Sequence, residues 1–206
     1  MKKMDLKKTL KPYYTASATK PSFLDIPPMK ALVVDGIGDP NGATFEEAVG
    51  ALYSVAFTLK FMFKKERAVD YPVMALEGLW SAGEAADFQT GTRDNWKWTL
   101  FISLPDLVTA KDVGQAVEAV KKKAKFPRFP EVRLERFAEG RAAQIMHIGP
   151  FAAEGPTIER LHLFIKSQGY KLRGRHHEIY LGDPRRTAPE KLKTILRQPV
   201  EEGPHH

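Results

Sequence analysis

The chain has 206 residues, 43% of them hydrophobic, with 32 Lys and Arg against 25 Asp and Glu for a formal charge of +7. That apolar content can bury a sizeable core, and the absence of cysteine excludes disulfides, thiolate metal sites and cysteine nucleophiles. No apolar run approaches the length of a bilayer span and the basic start, Met1-Lys2-Lys3-Met4-Asp5-Leu6-Lys7-Lys8, lacks a signal-peptide core, so a cytoplasmic protein away from membranes is expected.

Residues 1–22 are polar and basic around Tyr13 and Tyr14 and read as an N-terminal arm laid on the surface. A strand follows at 29–34, ending in the turn Gly36-Ile37-Gly38-Asp39-Pro40. Thr44 with Glu46 and Glu47 resembles a helix N-terminus, and the spacing predicts a helix over 45–65 with Thr44 as its cap. Leu52, Phe57, Leu59, Phe61, Met62 and Phe63 give that helix more apolar surface than one stripe requires, so it packs on two sides or under a cleft. Strands are predicted at 73–80 and 96–104, then a helix over 110–123 capped by Thr109, then the Pro-rich hinge Phe126-Pro127-Arg128-Phe129-Pro130. The run Lys121-Lys122-Lys123-Ala124-Lys125 closes that helix, where cations complement the macrodipole. The other basic residues are scattered, so direct nucleic-acid binding is not expected.

Beyond the hinge, 132–137 and 142–146 read as two strands of a hairpin turning at Ala138-Glu139-Gly140-Arg141. Pro156 opens a helix over 157–168 with Gly169 as its C-cap. A strand carrying Glu178, a short helical piece near Pro189 and a final strand over 193–197 complete the fold, leaving 201–206 as a tail.

Glu178 draws notice because it interrupts an apolar strand, and a buried carboxylate needs a partner or a raised pKa. Alternation places His176, Glu178 and Tyr180 on one face and His177, Ile179 and Leu181 on the other. Leu76-Glu77-Gly78-Leu79-Trp80 can be laid over His177-Glu178-Ile179-Tyr180-Leu181, pairing Glu77 with Glu178. The flanking strands agree, so the chain reads as two diverged strand-helix-strand-strand copies, one about 23–126 and the other about 127–200, in a single domain over 23–200.

Trp96 and Trp98 share a strand face and Trp80 lies on the preceding strand, so indoles beside carboxylates form a candidate box for a flat aromatic or cationic molecule. Core filling is the plainer role for tryptophans in strands, but it does not explain the paired carboxylates, so the cleft is the expectation. His147, His162, His176 and His177 have no metal-ligand spacing, no Gly-x-Ser-x-Gly elbow occurs, and the Gly36 to Pro40 turn is too short to cradle phosphates. Neither a metal nor a cofactor is expected.

The tract from Ile148-Gly149-Pro150-Phe151 and Glu154-Gly155-Pro156-Thr157 through His176-His177-Glu178-Ile179-Tyr180-Leu181-Gly182-Asp183-Pro184-Arg185-Arg186 to Pro199-Val200 resembles the GyrI-like small-molecule-binding family. Asp35-Gly36, Gly38-Asp39-Pro40-Asn41 and Leu76-Glu77-Gly78-Leu79-Trp80 resemble its stand-alone branch, which is similar to cyclopropanoid cyclopropyl hydrolases. The resemblance implies an α+β fold of tandem strand-helix-strand-strand repeats forming a concave antiparallel sheet with helices and a central ligand cleft. It also implies a glutamate that reads cationic aromatic ligands, at Glu178, and in the stand-alone branch hydrolysis of the cyclopropane rings of DNA-alkylating natural products. Relatives among transcription regulators carry an N-terminal helix-turn-helix, and this chain shows none.

Two functions stay open at the level of sequence. As an enzyme, the protein would use Glu178 as general base, Glu77 as the alternative base, Tyr180 as donor to the developing oxyanion, and Trp80, Trp96, Trp98, Tyr53 and Phe88 as a clamp for planar rings. As a binding module, it would sequester a planar aromatic or cationic small molecule with Glu178 as counter-ion. A surface role in protein interaction would leave the cleft incidental. Like charges on Glu77 and Glu178 would split their pKa values if the two lie close.

Overall fold

A computed structural model describes residues 1–81, 93–123 and 129–203. In chain order the elements are β1 (Lys2–Lys3), α1 (Leu6–Thr9), β2 (Ser22–Ile26), β3 (Met29–Ile37), α2 (Ala43–Arg67), β4 (Val69–Asp70), β5 (Leu76–Ser81), β6 (Lys97–Leu104), α3 (Ala110–Lys121), β7 (Arg133–Phe137), β8 (Gly140–Ile148), α4 (Gly155–Ser167), β9 (Tyr170–Leu172), β10 (His176–Tyr180) and β11 (Lys193–Glu202). This is an α+β fold in which β3-α2-β5-β6 and β8-α4-β10-β11 repeat the same order. The chain divides into unit one, Met1–Thr9 with Met29–Phe137, and unit two, Leu10–Pro28 with Ala138–His206.

In unit one β5 pairs with β6, β6 with β3 and β3 with β7, all antiparallel, and β1 lies parallel to β4. Alternation along the strands separates two faces. Phe45 of α2 meets the rings of Trp80 and Trp98, so α2 covers the face bearing these indoles, with Leu100 and Ile102 in step. The opposite face gathers Ala31, Val33, Leu79 and Phe101 against Phe137. Helix α2 begins at Ala43, one residue before the expected cap Thr44, because Gly42 holds the extended N-cap conformation without any side-chain cap. Its far end is Ala68, left-handed at φ 51°. Helix α3 does start as expected: Thr109 and Asp112 form a reciprocal capping box, which satisfies two otherwise orphaned N–H groups.

In unit two the order is β2, β8, β11, β10, again antiparallel, with β9 on the end of β11. Helix α4 buries Leu161 and Ile165 against Ala143, Ile145, Leu196 and Val200. The helix ends before Gly169, which is left-handed at φ 80° as its place after a C-terminus requires.

The expected hairpin at Ala138-Glu139-Gly140-Arg141 does not form. Strand β7 pairs with β3 in unit one and β8 pairs with β2 and β11 in unit two, so the connection is a crossover between units. The strand preceding each repeat thus pairs in the other unit: β2 in unit two, β7 in unit one. Residues 10–28 belong to unit two and bond to its strands. The Arg197 guanidinium donates to the Tyr13 carbonyl, Gln144 Nε2 to the Thr15 carbonyl at 2.9 Å, and the Met146 N–H to the Ser17 carbonyl at 2.8 Å. The last strand also runs to Glu202, past the expected end at 197.

Candidate functional site: a carboxyl pair in unit two

Strand β10 alternates as its sequence dictates. His177 and Ile179 are buried on one face, while His176, Glu178 and Tyr180 share the face on which α4 packs, Glu178 lying opposite Leu196 and Tyr180 opposite Thr194. The α4 side is where the polar groups collect. Glu178 is 15% exposed at its side chain; its Oε2 accepts a hydrogen bond from the Tyr180 hydroxyl at 2.7 Å, and its Oε1 lies 3.3 Å from His176 Nε2.

The fourth member is Glu154, the residue before the first turn of α4, and sequence analysis did not single it out. It is 5% exposed and does not cap its own helix, although a carboxylate there would be favoured by the dipole. Its side chain instead meets Glu178. The Thr194 hydroxyl, fully buried on β11, stands near enough to favour the ionised form slightly but without hydrogen-bond geometry. The signal available in the sequence was the motif Glu154-Gly155-Pro156, in which Pro starts a helix and an acidic residue precedes it.

Burial and the neighbouring Glu178 charge push the Glu154 carboxyl up to about 9. Burial also opposes ionisation of Glu178, but His176, Tyr180 and the Glu154 carboxyl outweigh it and hold Glu178 below the ordinary glutamate range. Near neutral pH the pair therefore carries one proton, on Glu154, and one charge, on Glu178. One carboxyl can give a proton where the other can take one. Phe151 stands edge-on to the Tyr180 ring at 5.6 Å, and Phe151, Ile148 and Leu181 are exposed apolar side chains on the neighbouring residues of the same unit.

The opposite face of unit two holds a separate, wholly buried charge network. Glu139 Oε1 lies 2.8 Å from His177 Nδ1 and its Oε2 3.3 Å from Arg197 Nη1, while Arg197 also donates to Gln144. Burial works against the Glu139 charge, yet His177 and Arg197 keep it ionised below the usual range. Its four side chains bond to one another and to the backbone of residues 13–15, which is the pattern of a structural cluster.

The ladders correct the expected alignment of the repeats. Each first strand ends at a glycine with strongly positive φ, Gly38 at 127° and Gly149 at 141°, and the two N–H groups donate to the Trp96 and Leu192 carbonyls. Counting along the ladders from these two points, Trp98 corresponds to Thr194, Trp80 to Tyr180, Gly78 to Glu178, and Glu77 to His177. Glu77 and Glu178 are thus one residue out of step, and a one-residue step reverses the face. Glu77, 1% exposed, lies on the face away from α2, where it accepts from Ser103 Oγ at 3.1 Å.

The place that holds polar groups in unit two holds indoles in unit one. Trp98 is 1% exposed and lies over Gly36, and its Nε1 donates to the Gly38 carbonyl at 3.3 Å; Trp80 stacks on Phe45 with centroids 5.8 Å apart. Trp96 is half-buried, edge-on to Trp80 at 6.1 Å. All three indoles lie on the α2 side, so Trp80 and Trp98 pack as core. Tyr53 on α2 is half-buried beside the exposed Phe57, and Phe88 lies outside the described residues. Among the described residues no three His, Cys, Asp or Glu side chains converge on a metal position, and no helix is long and apolar enough to cross a membrane.

A comparison with curated proteins gives no match. Among solved structures, an uncharacterized conserved protein from Listeria innocua is 40% identical, with a TM-score of 0.88, over 96% of this chain and 100% of its own. A protein from Listeria innocua described as a hydrolase is 39% identical with a TM-score of 0.87, over 97% of this chain and 100% of its own. The C-terminal domain of EcmrR, at 12% identity and a TM-score of 0.58 over 89% of this chain and 98% of its own, shares the fold. The family model for the GyrI-like small molecule binding domain matches residues 19–201, which spans both repeats and both members of the carboxyl pair. The chain belongs to the GyrI-like small-molecule-binding family.

Proposed function

We propose that this protein adds water to a strained, electrophilic ring, and that Glu178 and Glu154 divide the work of base and acid. The observation that carries the reading is the unequal carboxyl pair: adjacent groups whose surroundings push their proton affinities apart are how one site supplies both functions near neutral pH. The Listeria innocua relatives described as hydrolases support hydrolysis as the reaction class.

The substrate proposed is a cyclopropane fused to a dienone, as in the DNA-alkylating natural products that the stand-alone branch of the family suggests; the physiological role would be detoxification. Glu178 accepts a proton from water as the water oxygen bonds to a ring carbon. The opening C–C bond sends its electron pair through the dienone to the carbonyl oxygen, and Glu154 protonates the resulting phenolate. The proton gained by Glu178 then passes to Glu154 across the contact between them, which restores the starting state with no net proton change. Tyr180, whose hydroxyl is committed to Glu178, holds the base in place in this scheme. Phe151 with Tyr180 offers an apolar surface to the rings.

A second reading follows from the same charge. A single buried carboxylate with aromatic neighbours suits a planar cation bound without turnover. Incubating the purified protein with a cyclopropane-bearing dienone and following the water adduct by mass spectrometry separates the two. Adduct formed by the parent protein and lost in Glu178→Gln supports the hydrolase; no adduct, together with a cationic dye whose affinity drops in Glu178→Gln, supports the binding module.

A further inference from the structure

The two carboxyls of the pair are chemically the same, so something must decide which one keeps the proton. Tyr180 from the same strand donates to Glu178 Oε2, and His176 presents Nε2 at 3.3 Å from Glu178 Oε1, within ion-pair distance though without hydrogen-bond geometry. Glu154 has neither. Its Oε1 is buried without a hydrogen-bond partner among the described residues. Two further polar groups on the same face, Thr194 and His147, do not supply Glu154 with a charged partner. Thr194 of β11 brings a neutral hydroxyl, and His147 of β8 is turned to Thr157 Oγ1 at 3.0 Å and the Pro150 carbonyl at 3.2 Å.

Behind His176 stands a second imidazole, His162 of α4, with Nε2 buried and likewise unpartnered among the described residues. Burial, then the neighbouring His176, then Lys166 push His162 down to about 4, so it is neutral near neutral pH. Of the two imidazoles, His176 is the one that faces Glu178.

We propose that His176 is a positioning residue that places the negative charge of the carboxyl pair on Glu178 and so leaves the proton on Glu154, with His162 as its neutral neighbour. The proposal rests on the acid and base reading of the pair, but it describes the free protein and is tested without substrate. Full-length protein carrying glutamate labelled with 13C at the side-chain carboxyl is titrated by NMR, with the two resonances assigned from Glu154→Gln and Glu178→Gln. The parent should show one carboxyl titrating below the ordinary range and the other near 9. In His176→Phe the lower step should rise by at least about one pH unit, a tenfold gain in proton affinity, with its amplitude spread over both carboxyls. His176→Gln keeps a polar side chain of similar reach and should shift the step the same way, which covers a Phe variant that fails to fold. His162→Phe replaces one neutral group by another and should leave the step in place.

A lower step that stays put in folded His176 variants overturns the proposal, as does an equal shift in His162→Phe. A protein that shows the predicted titration yet opens no strained ring supports the charge placement while refuting the catalytic reading. Turnover by a protein whose lower step ignores His176 does the reverse.

Discussion

Replacing Glu178 by Gln preserves the size of the side chain and removes its charge and its capacity to accept a proton. If Glu178 is the base, hydrolysis measured as kcat/KM should fall by about 10²-fold or more, while a neutral planar ligand binds with little change. Glu154 makes a different, pH-linked demand. Its folded-state value, near 9, lies above that of the unfolded chain, so its contribution to stability is complete below the ordinary glutamate range and is lost as pH rises through about 9. Across that window the native state holds a proton that the unfolded chain releases, which costs about 1.4 kcal/mol per pH unit in the limit. Glu154→Gln does not titrate, so thermal melts should show the variant gaining on the parent between pH 5 and about pH 8. An unchanged difference would mean that Glu154 ionises normally. Glu178 runs the other way: its lowered value stabilises the fold above the ordinary range and ceases to as pH falls through the folded value.

At the level of elements, the two repeats use one architecture for opposite chemistry. A Cβ added to Gly36 on β3 would sit 2.0 Å from Trp98 Cη2, inside the indole, so the bare glycine is what lets the ring lie flat on its strand. Gly36→Ala should displace Trp98 and lower stability by about 1–3 kcal/mol, read as a drop in Tm with a change in tryptophan fluorescence. The corresponding stretch of β8 carries His147, and β11 carries Thr194 where β6 has Trp98. Small and polar side chains there leave the strand face free of the indoles, and the carboxyl pair takes that place. On the other face of β11, Arg197 is completely buried, and Arg197→Met would strand Glu139 with only His177 as partner. A loss of about 3–5 kcal/mol is expected in chemical denaturation, since one partner of a buried ion pair is removed and the other remains.

For the whole molecule, the chain passes from unit one to unit two, back, and again to unit two, because β2 and β7 each pair outside the repeat they precede. A fragment containing residues 138–206 holds the carboxyl pair but lacks β2 and the Tyr13 and Thr15 carbonyls that bond to Arg197 and Gln144. It should fail to fold by circular dichroism and by NMR dispersion, and addition of a 10–28 peptide should restore part of the signal. A well-folded 138–206 fragment would show that the exchanged strand is dispensable.

What the sequence determined was local. Side-chain periodicity and stop signals specified the strand-helix-strand-strand order, the cap at Thr109, Gly169 beyond α4, and the face shared by His176, Glu178 and Tyr180, because those depend on steric and hydrogen-bonding preferences within a few residues. Glu178 was legible as a candidate because a carboxylate in an apolar strand is costly wherever the strand goes. Tertiary structure alone decided the rest. The hairpin at Ala138 gave way to a crossover, since strand partners are chosen by burial across the chain and not by the turn between them. The match of Glu77 to Glu178 failed by a single residue, which motif similarity tolerates and a pleated ladder does not. Glu154 reached Glu178 only through the packing of α4, and its proton affinity is a property of the burial and the neighbouring charge that this packing creates.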